Sequence, residues 1–260
     1  MTLRNSEFWI KKPLPFNIIS IESKSFNEFE HLEILVLIDI GLIEIKTNSF
    51  QSLWKLKELY LSHNRINKID SNAFDNLLNL EKLHLSFNML MKIDSNLFLN
   101  LKKLKILEIE SNQFKAIDSR HLKTLENLEE LDLSRVNLIK VKANSFINQI
   151  KLKELFLSGN KIEKIESNDF SGLENLNVLY LSHNKLTKIE SGALRHLKKL
   201  KYLNLAFNKI EQIDSTVFKT MDNLEELSIE FNEILTYIDS NSFKNLKNLK
   251  KIYLGNFFLI

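Results

Sequence analysis

Leucine returns in the same phase along this chain, at Leu32, Leu56, Leu80, Leu104, Leu128, Leu152, Leu176, Leu200 and Leu224, always 24 residues apart, and at Leu249 after a step of 25. The clearest unit is residues 56–79, LKELYLSHNRINKIDSNAFDNLLN. It opens on LxxLxL, where Leu59 and Leu61 alternate as in a half-buried strand. A period of two sends these leucines inward and puts Glu58, Tyr60 and Ser62 on the other face. A turn led by Asn64 follows, with Ile66 and Ile69 tucked beneath it. The return segment DSNAFDNL sets Phe74 and Leu77 three residues apart, the spacing of one face of a short helical turn. Asp70 and Ser71 supply oxygens suited to capping it.

Two more columns recur with the leucines. Asn64, Asn88, Asn112, Asn160, Asn184, Asn208 and Asn232 share one inward-facing position. A buried amide must be hydrogen-bonded, so this column reads as a structural ladder tying neighbouring turns together, interrupted at Ile40, Val136 and Phe257. The other column holds Phe26, Phe50, Phe74, Phe98, Phe146, Phe170, Phe218 and Phe243, with Leu122 and Leu194 substituting. An aromatic stripe that keeps the repeat phase is core rather than a cofactor box. No unit can bury its own apolar edge, so stacking is what makes a core.

The consensus LxxLxLSxNxIxxIxxxxFxxLxx, over residues about 32–254, resembles the 24-residue "typical" class of leucine-rich repeat. The resemblance implies an α/β solenoid: a curved horseshoe with a parallel concave sheet and short helical or irregular convex segments. It also implies a binding module for proteins, peptides or other ligands on the concave face, and not an enzyme. This class is commonest in receptor and adhesion ectodomains, including those of innate immunity. The chain departs from that pattern in having no cysteine-rich caps.

The expected organisation is a degenerate half-repeat or cap over 1–31, then nine full repeats and a truncated tenth over 32–260. Ile18, Ile21, Phe26 and Phe29 keep the phase, while Lys11 and Pro13 stand where strand leucines belong. Proline cannot donate to a ladder, which suits a terminus. The apolar end Gly255-Asn256-Phe257-Phe258-Leu259-Ile260 falls in mid-repeat. It reads as the end of a fragment; end-to-end association through this tail is the alternative.

Composition narrows the function. With no cysteine among 260 residues, disulfides, thiolate zinc sites and cysteine nucleophiles are excluded. Five glycines and two prolines leave no flexible linker at which to divide the chain. No run of 18 apolar residues offers a membrane-spanning helix, and Phe8-Trp9-Ile10 is too short for a signal-peptide core. A formal net charge of +3 is too slight to call for nucleic acid. Lys102-Lys103-Lys105 and Lys198-Lys199-Lys201 sit at repeat boundaries beside acidic residues and read as solvated groups, with a lateral basic stripe as the alternative.

The outward strand positions are the candidate ligand surface. Ten strands about 4.8 Å apart would line roughly 43 Å. Glu108, Glu110, Glu130, Asp132 and Glu154 gather on three successive strands, with Phe156, Tyr180 and Tyr202 beside them and Tyr60 and His84 towards the N-terminus. Aromatic side chains are enriched among binding hot spots, so the expected partner is a protein or peptide with basic and apolar features. Ile34, Val36 and Ile38 make the first full strand apolar on its outward face, for which residues 1–17 are the expected cover, with a second contact surface as the alternative.

No catalytic constellation emerges, and no metal or cofactor is expected. His63 and His183 lie five repeats apart, roughly 24 Å by strand spacing. His63 and His84, on adjacent repeats, lack a third ligand. In Ser62-His63 and Ser182-His183, adjacent strand residues point to opposite faces, which prevents a triad. Three roles follow in order: a recognition module of a cell-surface or secreted protein, an intracellular scaffold or regulator on the same solenoid, and a self-associating structural protein. The cytoplasmic alternative is favoured by the missing cysteines and by the absence of any N-x-S/T sequon.

Overall fold

A computed structural model of the chain describes residues 18–23 and 25–255. Its main feature is one ten-stranded parallel sheet with the strands in chain order. The strands are Ile34–Val36, Glu58–Tyr60, Lys82–His84, Ile106–Glu108, Glu130–Asp132, Glu154–Phe156, Val178–Tyr180, Tyr202–Asn204, Glu226–Ser228 and Lys251–Tyr253. The register follows the repeat: Leu59 pairs with Leu83 and Leu131 with Leu155, and the 25-residue step pairs Ser228 with Tyr253. Each strand is three residues long because the turn after it takes the chain away from the sheet.

Stacking buries what the pattern marks as apolar. The central leucines from Leu59 to Leu227 are fully buried, as are Phe50, Phe74, Phe98, Phe146, Phe170 and Phe218. Phenylalanine rings of adjacent repeats lie parallel, Phe50 and Phe74 at 6.1 Å between centroids. Leu122 and Leu194 fill the same column without exposure. In the last described strand Ile252 is exposed.

Each asparagine of the column bonds to its own repeat and to the one before it. Asn64 Oδ1 accepts the backbone N–H groups of Ile40 and Leu42 at 3.1 and 3.0 Å, and its Nδ2 donates to the carbonyls of Leu37 and Leu61 at 2.7 and 2.9 Å. Asn88, Asn112, Asn184, Asn208 and Asn232 donate in the same way, and the Oδ1 of each accepts one backbone N–H of the preceding repeat. Val136 is fully buried in the same column and has no amide to offer the turn below it.

The return segments differ from the expected helical turns. They are successive single turns: Ala73 N–H donates to the carbonyl of Asp70, Leu77 to Phe74 and Leu80 to Leu77. Their N–H groups donate to the carbonyl three residues back, the tighter bonding pattern that occurs in short pieces. Asp70 caps no helix; its carboxylate accepts the backbone N–H of Thr47 in the preceding repeat at 3.0 Å. The one helix among the described residues is Ser119–Leu122, capped by Asp118.

A second, shorter ladder runs along a flank. Ser20–Ile21, Glu44–Ile45 and Lys68–Ile69 form one parallel sheet, Lys164–Ile165 pairs with Lys188–Ile189, and Gln212–Ile213 with Tyr237–Ile238. Between the first two pieces residues 92–93, 116–117 and 140–141 form no strand. This gap coincides with Val136 and with the helix. There the buried Asp118 carboxylate binds the repeats instead, accepting from Arg120 Nη2 at 2.8 Å and Lys142 Nζ at 2.9 Å. Those hydrogen bonds, Arg120 first, hold Asp118 far below the usual carboxylate range.

Candidate recognition surface

Because successive strand residues alternate in direction, the sheet presents its outward side chains in columns. The register makes Tyr60, His84, Glu108, Asp132, Phe156 and Tyr180 consecutive members of the middle column. These residues divide into contact groups. Tyr60 stacks flat on His84 at 4.4 Å, and His84 Nδ1 lies 2.7 Å from Glu108 Oε2. The Tyr60 hydroxyl donates to Glu58 Oε2 at 2.6 Å, and Glu58 pairs with Lys82 at 2.8 Å. Burial, followed by this contact with Glu58, pushes the Tyr60 phenol up to about 12.

Glu108, Glu110 and Asp132 form the acidic centre. Burial pushes Glu110 up to about 7, and the charges of Asp132 and Glu108 add to the shift, with Arg135 opposing it. Asp132 Oδ1 also accepts the backbone N–H of Ser134 at 2.8 Å. Glu130 and Glu154 face each other in the next column, but they line a shallow groove with Lys82, Lys105 and Lys153. They therefore belong to a mixed-charge border.

The aromatic group is continuous. Phe156 and Tyr180 stack at 5.2 Å, and Tyr180 meets Tyr202 at 4.9 Å with a 35° tilt. Burial and a hydrogen bond with Tyr180 push the Tyr202 phenol up to about 12. Tyr60 is not part of this group. It belongs to the stack at the far side of the acidic centre.

Sequence reasoning missed a column along the rim. The variable slot of LSxN adopts left-handed backbone at His63, Phe87, Ser111, Arg135, His183, Phe207 and Phe231, with φ between 52° and 59°. Bulky residues rarely sit there. His63 stacks on Phe87 at 4.3 Å, and His183, Phe207 and Phe231 form a run at 4.1 and 4.2 Å. The available signal was a ring at this slot in consecutive repeats. His63 and His84 each face an aromatic neighbour, His63 on Phe87 and His84 on Tyr60.

Ile34, Val36 and Ile38 are 52%, 58% and 36% exposed; their expected cover, residues 1–17, lies outside the described residues, as does the tail from Asn256. Among the described residues no group of three or more His, Asp or Glu could hold a metal ion. No helix among them is long and apolar enough to cross a membrane.

A stack of ten parallel strands, with an asparagine column and a phenylalanine column in the repeat phase, defines a leucine-rich-repeat solenoid. The family described as "Leucine rich repeat" matches residues 126–186, 150–210, 174–234 and 199–256, and "BspA type Leucine rich repeat region (6 copies)" matches residues 9–129. The chain belongs to the leucine-rich-repeat family. No curated protein matches it.

Among solved structures, the TLR13 chain of a TLR13-ssRNA13 complex is 32% identical over 91% of this chain, with a TM-score of 0.85. The Leptospira interrogans LRR protein LIC12759 is 26% identical over 88%, with a TM-score of 0.72. Toll from the Drosophila Toll–Spatzle complex is 22% identical over 92%, with a TM-score of 0.74, a likeness of fold. This chain spans 34%, 56% and 35% of those three chains. One of them is in complex with single-stranded RNA, so the exclusion of nucleic acid from net charge is withdrawn. Net charge is a sum, and it conceals how local patches are arranged.

Proposed function

We propose that this chain is the ligand-holding segment of a cell-surface or secreted receptor or adhesion protein, and that it binds a protein or peptide with basic and apolar features on its concave sheet. The observation that carries this reading is the register that sets Glu108 and Asp132 next to Phe156 and Tyr180 in one unbroken column. Cationic groups of a ligand would meet Glu108, Glu110 and Asp132, and its apolar groups would pack on Phe156, Tyr180 and Tyr202. Large rings already stacked on one another lose little freedom when a partner covers them. Glu130, Glu154, Tyr60 and His84 would form the border of the contact. The Toll–Spatzle complex supports the receptor context, and its ligand belongs to a longer chain than this one.

The test is selection of peptides from a displayed library on the immobilised protein. Enriched sequences should combine Lys or Arg with aromatic or aliphatic residues. Tyr180→Ala/Tyr202→Ala and Glu108→Gln/Asp132→Asn should each weaken the selected peptides about tenfold or more. Surface changes of this kind should move Tm by only about 1–2 °C. Affinity unchanged from the wild type in both variants would remove the concave face from consideration.

A further inference from the structure

The edge that leads into each concave strand carries a charge pattern with a period of two repeats. At its inner position lysine alternates with glutamate: Lys57 pairs with Glu33 at 2.9 Å, Lys105 with Glu81 at 2.7 Å and Lys153 with Glu129 at 2.6 Å. These charges cancel. At the outer position lysine alternates with asparagine. Lys103 Nζ donates to Asn79 Oδ1 at 2.6 Å, Lys151 to Asn127 at 2.6 Å and Lys199 to Asn175 at 2.7 Å. Each of these amides donates in turn to a backbone carbonyl of the repeat below, at Trp54, Lys102 and Ile150. Lys55 occupies the same position, 2.7 Å from His31 Nδ1.

Three of the outer lysines are therefore held in place by neutral amides, and Lys55 by an imidazole ring. Among the described residues none of the four has a carboxylate at ion-pair distance. Adjacent members of the file lie two repeats apart, about 10 Å at strand spacing, and the four span roughly 29 Å. Between them lie two equivalent grooves, one of about 310 Å³ bounded by Lys55 and Lys103 and one of about 350 Å³ bounded by Lys151 and Lys199. The first contains Glu81; the second has Asn177 at that position. Loss of that carboxylate makes the second groove the more cationic.

We propose that this edge is a binding site for a linear sulfated polysaccharide, centred on the groove between Lys151 and Lys199. A file of pinned cations at regular intervals of about 10 Å matches a chain whose anionic groups recur with each pair of sugar units. A DNA strand is far denser, with a phosphate every ~3.4 Å. Single-stranded nucleic acid also relies on aromatic platforms for its bases. The ring beside this file, Trp54, has Lys55 Nζ over it at 4.8 Å. The site lies on the edge of the solenoid and is separate from the acidic concave centre.

The experiment measures binding to immobilised heparin at a series of salt concentrations. Lys151→Asn/Lys199→Asn should weaken binding about tenfold and lower the slope of log affinity against log salt by about one for each lysine removed. Asn177→Glu, which rebuilds the alternation found at Glu81, should also weaken it while the fold is retained. Lys185→Asn/Lys209→Asn removes two exposed lysines elsewhere and should leave affinity unchanged within twofold. The proposal is overturned if heparin does not bind, if the Lys185/Lys209 variant loses as much, or if Asn177→Glu has no effect. It is also overturned if a single-stranded RNA homopolymer displaces heparin at lower concentration than heparin itself, which would make the edge a nucleic-acid surface.

Discussion

Asn160 holds two repeats together through Val136: its Oδ1 accepts the Val136 backbone N–H at 3.1 Å and that of Leu138 at 3.0 Å. Its Nδ2 donates to the carbonyls of Leu133 and Leu157 at 2.8 and 2.9 Å. One side chain thus satisfies four backbone groups in a buried turn. Val136, in the same column one repeat earlier, accepts nothing from its own neighbour. The ladder is one rung short there.

Asn160→Val should therefore cost about 2–4 kcal/mol, because it orphans several buried backbone groups at once. Urea unfolding of the two proteins measures this. A loss below about 0.5 kcal/mol would mean that other groups take over the four bonds.

Glu110 links stability to pH. Its folded-state value, about 7, lies above the ordinary 4.5, so the folded protein binds this proton more tightly than the unfolded chain. Stability from this group is present below about pH 4.5 and is lost as pH rises through about 7. Glu110→Gln should flatten that part of the Tm–pH curve and raise Tm at pH 8. An unchanged curve would show that Glu110 is solvated as an ordinary carboxylate.

Asp169 is a second buried carboxyl. Its Oδ2 accepts the Glu166 backbone N–H at 2.8 Å, and its Oδ1 is buried with no hydrogen-bond partner among the described residues. Burial raises its pKa above 3.8, so its stabilising acid form is lost as pH rises. In the same column Ser49 and Ser242 donate to the carbonyls of Ile21 and Ile213 at 2.8 and 3.0 Å, while the Ser145 hydroxyl is buried without a partner among the described residues, and a serine in either state carries no charge to bury. Asp169→Ser should stabilise the protein at neutral pH by about 1 kcal/mol, measured by thermal unfolding at pH 7.5. A lower Tm would contradict this account.

Gly172 has φ +93°, and a Cβ there would stand 2.3 Å from the carbonyl oxygen of Phe146 and 2.7 Å from the Cα of Ile147. Both contacts are backbone, so no side-chain rotation relieves them. Gly172→Ala should cost about 2–4 kcal/mol. Gly192→Ala, with nothing closer than 4.0 Å, should cost less, since only its left-handed backbone opposes the change. Equal Tm losses for the two variants would put the whole cost in φ.

The repeat, its phase and the inward columns were legible in the sequence because burial there depends only on place within a unit. Leu59, Asn64 and Phe74 would be inside in any stack of these 24-mers. The acidic and aromatic columns could also be read, since the strand period sets which residues face outward. The sequence by itself thus determined the solenoid and the composition of its outward face.

What only the tertiary structure decided is how residues one repeat apart share space. Stacking places Lys103 on Asn79 and His63 on Phe87, sets Glu130 and Glu154 beside lysines, and lets Asp118 gather Arg120 and Lys142 where the ladder fails. The return segments fold as single turns bonded three residues back, except at Ser119–Leu122, where a helix forms in a circuit of the same length. Such outcomes depend on side-chain reach and direction across a boundary of about 5 Å, a distance that neither periodicity nor composition encodes.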